Sequence, residues 1–206
     1  MKKFVLYGLA IFFLVGCGSY YIPIRGNLDD STKKGLRQSA TTANLAIYLD
    51  KGLSEKFIKQ KSKGATCGHA ETQIPFGPAL KEAMVEGLST SFPNMKLVEK
   101  PEKQEGSYLI KITPEKIDIG FEFSVHGGCV RPMMDQGEIT LSLKTEIVDP
   151  KGKNIFDETF DYKERAEDQN IPPVSQTGVL NTCVNKIVLK YMGDLKKSLK
   201  EIIKAD

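Results

Sequence analysis

The chain has 206 residues, 29 basic and 26 acidic side chains, a formal charge of +3 and no tryptophan. That balance lacks the basic footprint of a nucleic-acid binder, so no nucleic acid is expected as a partner. The length suits one domain with a real core, without internal repeat or low-complexity tract.

Lys2 and Lys3 give a basic start, and an uncharged, mostly apolar run follows from Phe4 to Gly16. As a helix this run rises only about 20 Å, short of a hydrocarbon core of roughly 30 Å. It fits the apolar region of a secretory signal better than a membrane span. The run ends in Leu14-Val15-Gly16-Cys17. This string resembles the lipobox of bacterial lipoproteins. The resemblance implies cleavage after Gly16, a diacylglycerol on the Cys17 sulfur and a membrane anchor made of acyl chains. It also implies an outer-membrane home facing the periplasm in a two-membrane host, because Gly18 stands where an Asp would resemble an inner-membrane retention signal. Residues 1–16 are then the signal peptide, and loss of Lys2 and Lys3 lowers the charge from +3 to +1.

Residues 17–42 are mostly polar and small, and they read as the lipidated cysteine and a flexible tether with a reach of roughly 25–30 Å. Tyr20-Tyr21-Ile22-Pro23-Ile24 interrupts the tether, either as headgroup-level tyrosines or as an extended segment on the domain edge. A single globular domain is expected over 43–206. Leu45, Ile47 and Leu49 alternate as a strand. Leu53 to Ile58 suggests a short helical turn, and Lys61 to Gly64 a loop. The first long helix is expected over 78–92, with Gly77 at the cap and Pro78 in the first turn. Its apolar face is Leu80, Ala83, Met84, Gly87 and Leu88, opposite Lys81, Glu82 and Glu86. The string Ile74-Pro75-Phe76-Gly77-Pro78 reads as the start of this helix, with a rigid knob for a partner as the functional alternative.

Lys96 to Val98 suggests a short strand. Tyr108, Ile110 and Ile112 alternate up to Pro114. Ile117, Ile119, Phe121, Phe123 and Val125 form a second alternating run, and Ile139, Leu141, Leu143 and Ile147 a third. Asp149-Pro150-Lys151-Gly152 signals a turn into Phe156, Phe160 and Tyr162. Apolar residues from Leu180 to Ile202 recur at helical spacing, with Lys196, Lys197, Lys200 and Lys204 expected on the outer face and C-terminal end. The expected fold is α+β: a two-layer sandwich, a mainly antiparallel sheet of four to five strands with two long helices on one face. This layout loosely resembles small outer-membrane accessory lipoproteins, such as the lipopolysaccharide-assembly lipoprotein and the auxiliary lipoproteins of lipid-transporting ABC systems. The resemblance implies an accessory role and carries over no motif residue beyond Cys17.

With Cys17 acylated, Cys67, Cys129 and Cys183 remain. An oxidising compartment favours one disulfide, and Cys67 with Cys129 is the preferred pair because both sit in glycine-containing loops. Cys183 lies on the apolar side of the last helix and reads as a small buried hydrophobe. The only histidines, His69 and His126, flank the same loops. Cys67, His69, His126 and Cys129 therefore also make a candidate tetrahedral zinc site, or a copper(I) site with Met133 and Met134 nearby. A Cys129–His126 nucleophile pair lacks a third member. No hydrolase, metalloprotease or phosphate-cradling motif occurs, so neither an enzyme nor a cofactor is expected. Two functions remain: an accessory or assembly component with a protein partner in the cell envelope, or a binding module for a small apolar or lipidic ligand.

Overall fold

The computed structural model describes residues 20–21, 24, 26–38, 43–61, 71–102, 104–124, 133–167 and 178–205. Eight strands and four helices occur among them. In chain order these are β1 (Tyr20–Tyr21), α1 (Asp30–Gln38), β2 (Leu45–Leu49), α2 (Lys51–Ser54), β3 (Ile58–Lys61) and β4 (Glu71–Ile74). They continue with α3 (Phe76–Ser91), β5 (Met95–Leu97), β6 (Tyr108–Ser124), β7 (Met133–Val148), β8 (Asn154–Glu167) and α4 (Gly178–Ala205). No helix among the described residues is long and apolar enough to cross a membrane.

The main sheet has five strands in the order β5-β2-β6-β7-β8. The long ladders β6–β7 and β7–β8 are antiparallel, whereas β2 pairs in parallel with both β5 and β6. The sheet is thus mainly antiparallel, as expected, with parallel pairing only at the short strand β2. A separate three-stranded sheet, β1-β4-β3, was not foreseen. It takes up Ile58, expected in a helical turn, and Lys61, expected in a loop; the helical turn falls earlier, at α2.

The alternating runs 108–112 and 117–125 form one continuous 17-residue strand up to Ser124. Its register slips between Pro114, opposite Leu143, and Lys116, opposite Ser142. The extra residue at this bulge switches the inward parity from Ile110 and Ile112 to Ile117 and Ile119. Pro114 is tolerated because β2 ends opposite Ile112, so that side of β6 needs no N–H there. The predicted turn closes β7 onto β8: Asp149 N–H donates to the Lys153 carbonyl at 2.9 Å, and Gly152 takes a φ of +93°.

The inward face of β7 carries Ile139, Leu141, Leu143, Thr145 and Ile147, all buried. Leu80, Met84 and Leu88 of α3 and Ile187, Tyr191 and Leu195 of α4 belong to the same core, as the helical spacing predicts. The two long helices touch at Gly87, where a β-carbon would stand 2.8 Å from Val188 Cγ1. A side chain at Gly87 would force them apart. Helix α3 starts two residues earlier than expected, with Pro75 at the cap and Phe76 fully buried, so Ile74 to Gly77 is core.

The tether reading of 17–42 is corrected in its second half. Ile24, Leu28 and Leu36 are buried, and α1 packs against both α3 and α4. The polar composition misleads because most of the polar groups are solvated or engaged while a few apolar residues at the right spacing face the core.

Candidate functional site

Cys17, Cys67, His69, His126 and Cys129 lie outside the described residues, so the anchor, the disulfide and the zinc or copper readings all fall there. The strands on either side of 62–70 and 125–132 are in place: Lys61 pairs with Glu71, and Ser124 pairs with Met133. Among the described residues no group of three or more His, Cys, Asp or Glu is placed to hold a metal ion.

Cys183 is described, free and buried, as its apolar setting predicts. Its Sγ donates to the Gly137 carbonyl at 3.6 Å. Burial pushes the thiol up to about 11, against the opposing pull of Lys186. A thiol held protonated in this way is a poor nucleophile and a poor metal ligand.

A polar layer joins α4 to the sheet. The Tyr191 hydroxyl meets Thr145 Oγ1 at 3.0 Å, the Tyr162 hydroxyl donates to Asp194 Oδ2 at 2.8 Å, and Lys190 pairs with Glu164. Burial raises both tyrosines and keeps them neutral. Each of these groups is satisfied by its neighbour, which specifies how the helix seats on the sheet. On the opposite face of the sheet, Lys111, Lys144 and Lys163 pair with Glu146, Asp157 and Glu138. This is the solvated face that strict alternation predicts.

The most developed polar cluster is a clasp around the N-terminal arm, 24–38. Glu86 of α3 accepts from Leu28 N–H at 2.7 Å with one oxygen and pairs with Lys33 Nζ at 2.7 Å with the other. Glu82 accepts from Gly26 N–H at 3.3 Å. Gly26 lies so close to α3 that a β-carbon there would stand 2.1 Å from the Ala79 carbonyl oxygen. Asp29 caps α1, accepting from Thr32 N–H at 2.7 Å. At the other end of α1, Lys196 Nζ donates to the Leu36 carbonyl at 3.1 Å. That contact satisfies a helix-terminal carbonyl with a cation.

Electrostatics fits this role. Desolvation by itself would raise Glu86, but the bond from Lys33 and the N–H of Leu28 outweigh it and hold the carboxyl below its ordinary range. Desolvation lowers Lys196, and neighbouring Lys200 adds to the effect. Sequence reasoning placed Glu82, Glu86 and Lys196 on wet helix faces. Lys196 is instead 6% exposed, and both glutamates are turned to the arm. The legible signal was Asp29-Asp30-Ser31-Thr32, a helix start inside the supposed tether.

No protein-family model and no curated protein matches the chain. Among solved structures, protein XCC0632 from Xanthomonas campestris, described under family model DUF330, is similar with a TM-score of 0.50 and 10% identity; the match covers 90% of this chain and 98% of that one. Rare lipoprotein B from Shewanella oneidensis gives a TM-score of 0.38 at 11% identity, covering 78% of this chain and 96% of its own. A minor lipoprotein from Acinetobacter baumannii gives 0.37 at 8%, covering 75% and 92%. The Xanthomonas likeness is one of fold. The other two superpose too loosely to bear on fold or function.

Proposed function

We propose that this chain is a lipid-anchored envelope protein, acylated at Cys17, which serves as a non-catalytic accessory or assembly component of a membrane-associated complex. Transport, secretion and outer-membrane assembly are the settings that fit, with the outer membrane favoured by Gly18. The observation that carries the reading is the N-terminal string itself: Lys2-Lys3, an apolar run too short to span, then Leu14-Val15-Gly16-Cys17. Two or three acyl chains, at about 0.8 kcal/mol per buried methylene, hold a protein on a membrane without a spanning helix. The side chains between sheet and helices, among them Leu80, Leu88, Leu141, Leu143, Ile187 and Tyr191, form one buried cluster, which supports the accessory role over a ligand-binding one.

The test has two parts. Mass spectrometry of the mature N-terminus is expected to find acylated Cys17, and Cys17→Ala is expected to leave an uncleaved precursor. Crosslinking in native membranes is then expected to join the acylated protein to a defined envelope complex. An unmodified Cys17, or cleavage elsewhere, would sink the anchor. An acylated protein that stays monomeric in membranes and turns over or binds a small molecule would sink the accessory role.

A further inference from the structure

We propose that the end of the β1-β4-β3 sheet marked by the Lys61–Glu71 pair rests on the lipid surface that holds Cys17, which fixes the domain's orientation. The inference depends on the lipid anchor proposed above. It adds which end of the domain the membrane touches, and it starts from strand register.

Strand β1 runs parallel to β4, with Tyr20 opposite Thr72 and Tyr21 opposite Gln73. Strand β3 completes the rows: Lys59 faces Gln73, Gln60 faces Thr72 and Lys61 faces Glu71. Followed backwards from Tyr20, the chain therefore leaves the sheet at the Lys61–Glu71 row. Only three peptide steps separate Tyr20 from Cys17, and a fully extended chain covers at most about 11 Å in three steps. An unstructured tether over 18–42 would instead have a contour of roughly 90 Å.

The short leash is secured behind β1. Glu82 and Glu86 hold Gly26 and Leu28, and Lys196 holds the far end of α1. If β1 alone peeled away, the free chain from Cys17 to Gly26 would still span no more than about 32 Å. A domain held this way reaches partners only in the layer next to its own leaflet.

The chain contains no tryptophan, so a single introduced one reports its own position. Lys59→Trp probes the small sheet. Lys100→Trp probes the exposed segment after β5, an edge strand of the other sheet. Both positions are exposed, so both variants are expected to keep the parent's thermal unfolding. The acylated protein is placed in vesicles of phosphatidylethanolamine and phosphatidylglycerol that carry a headgroup nitroxide. Lys59→Trp fluorescence is expected to be quenched at least threefold more than that of Lys100→Trp. A flexible insert of about 20 residues between Ser19 and Tyr20 is expected to remove the difference. Equal quenching in protein whose N-terminal peptide carries acyl chains overturns the orientation and leaves the anchor standing. Undiminished quenching after the insertion overturns the leash. An N-terminal peptide without acyl chains overturns both readings.

Discussion

The two ends of the chain are held by different chemistry. From Tyr108 onward, strands β6 to β8 and helix α4 hold together through continuous apolar faces: Ile110, Ile112, Leu141, Leu143 and Ile147 against Leu180, Ile187, Tyr191 and Leu195. Among its described residues the arm 24–38 contributes only Ile24, Leu28 and Leu36 to that core and otherwise depends on side chains lent by α3 and α4. Apolar burial is non-directional and adds up over many residues, whereas the clasp rests on a few hydrogen bonds to charged groups, each modest once exchange with water is counted. The arm is therefore the part of the described molecule most readily detached without unfolding the rest.

The largest expected effect lies in the core. Leu88→Ala leaves a cavity at a fully buried position and is expected to cost about 2–5 kcal/mol of global stability, read from urea unfolding. A loss below about half a kcal/mol would show that α3 is not seated on the core.

Gly26→Val aims at the arm. A side chain at Gly26 collides with the Ala79 carbonyl, which belongs to helix backbone and has little freedom to yield. Trypsin is expected to cut the variant at Lys33, Lys34 or Arg37 at least tenfold faster than the parent, while the urea transition of the core stays close to the parent's. If core and arm fail together, the contrast between them is wrong.

A smaller effect is expected at Glu86. Glu86→Ala removes the partners of Leu28 N–H and Lys33 and is expected to cost about 1–2 kcal/mol of arm protection. The sign of its pH dependence follows from its lowered carboxyl. A group held below its ordinary 4.5 stabilises the folded arm above that value, and the contribution fades as pH falls through the lower folded value. Exchange of the Leu28 amide, corrected for its intrinsic rate, is expected to accelerate in that acid window in the parent and to lose this dependence in Glu86→Gln. The smallest effect is expected on the wet face of the sheet, where breaking Lys163–Glu138 should change stability by less than about 1 kcal/mol.

The same contrast decides what was legible in the sequence. Alternation at 139–147 and helical spacing at 180–202 report burial directly, so β7, β8, α4 and the turn at Asp149 read off the chain. The inward parity of β6 was legible on both sides of Pro114, but the bulge joining the two runs was not, because a proline usually ends a strand. The clasp was illegible for another reason. Glu82 and Glu86 have the spacing of a solvated helix face, and nothing in that spacing says that a segment more than 50 residues upstream lies across it. Lys196 looked like one more lysine of a basic helix end, although Met192, Leu195 and Leu199 already placed it beside the inward stripe. Parallel pairing of β2 was hidden similarly, since its partners are brought alongside by the α3 crossover and the loop after β5.

Hydrogen exchange of the arm tests the central claim most directly. In the full-length protein at neutral pH, the amides of Leu28 and Thr32, which donate to Glu86 and Asp29, are expected to be protected at least a hundredfold over unstructured chain. Amides of the α1 interior are expected to match them. Exchange of these amides at the rate of an open chain would return residues 24–38 to a free tether and remove the short leash to the membrane.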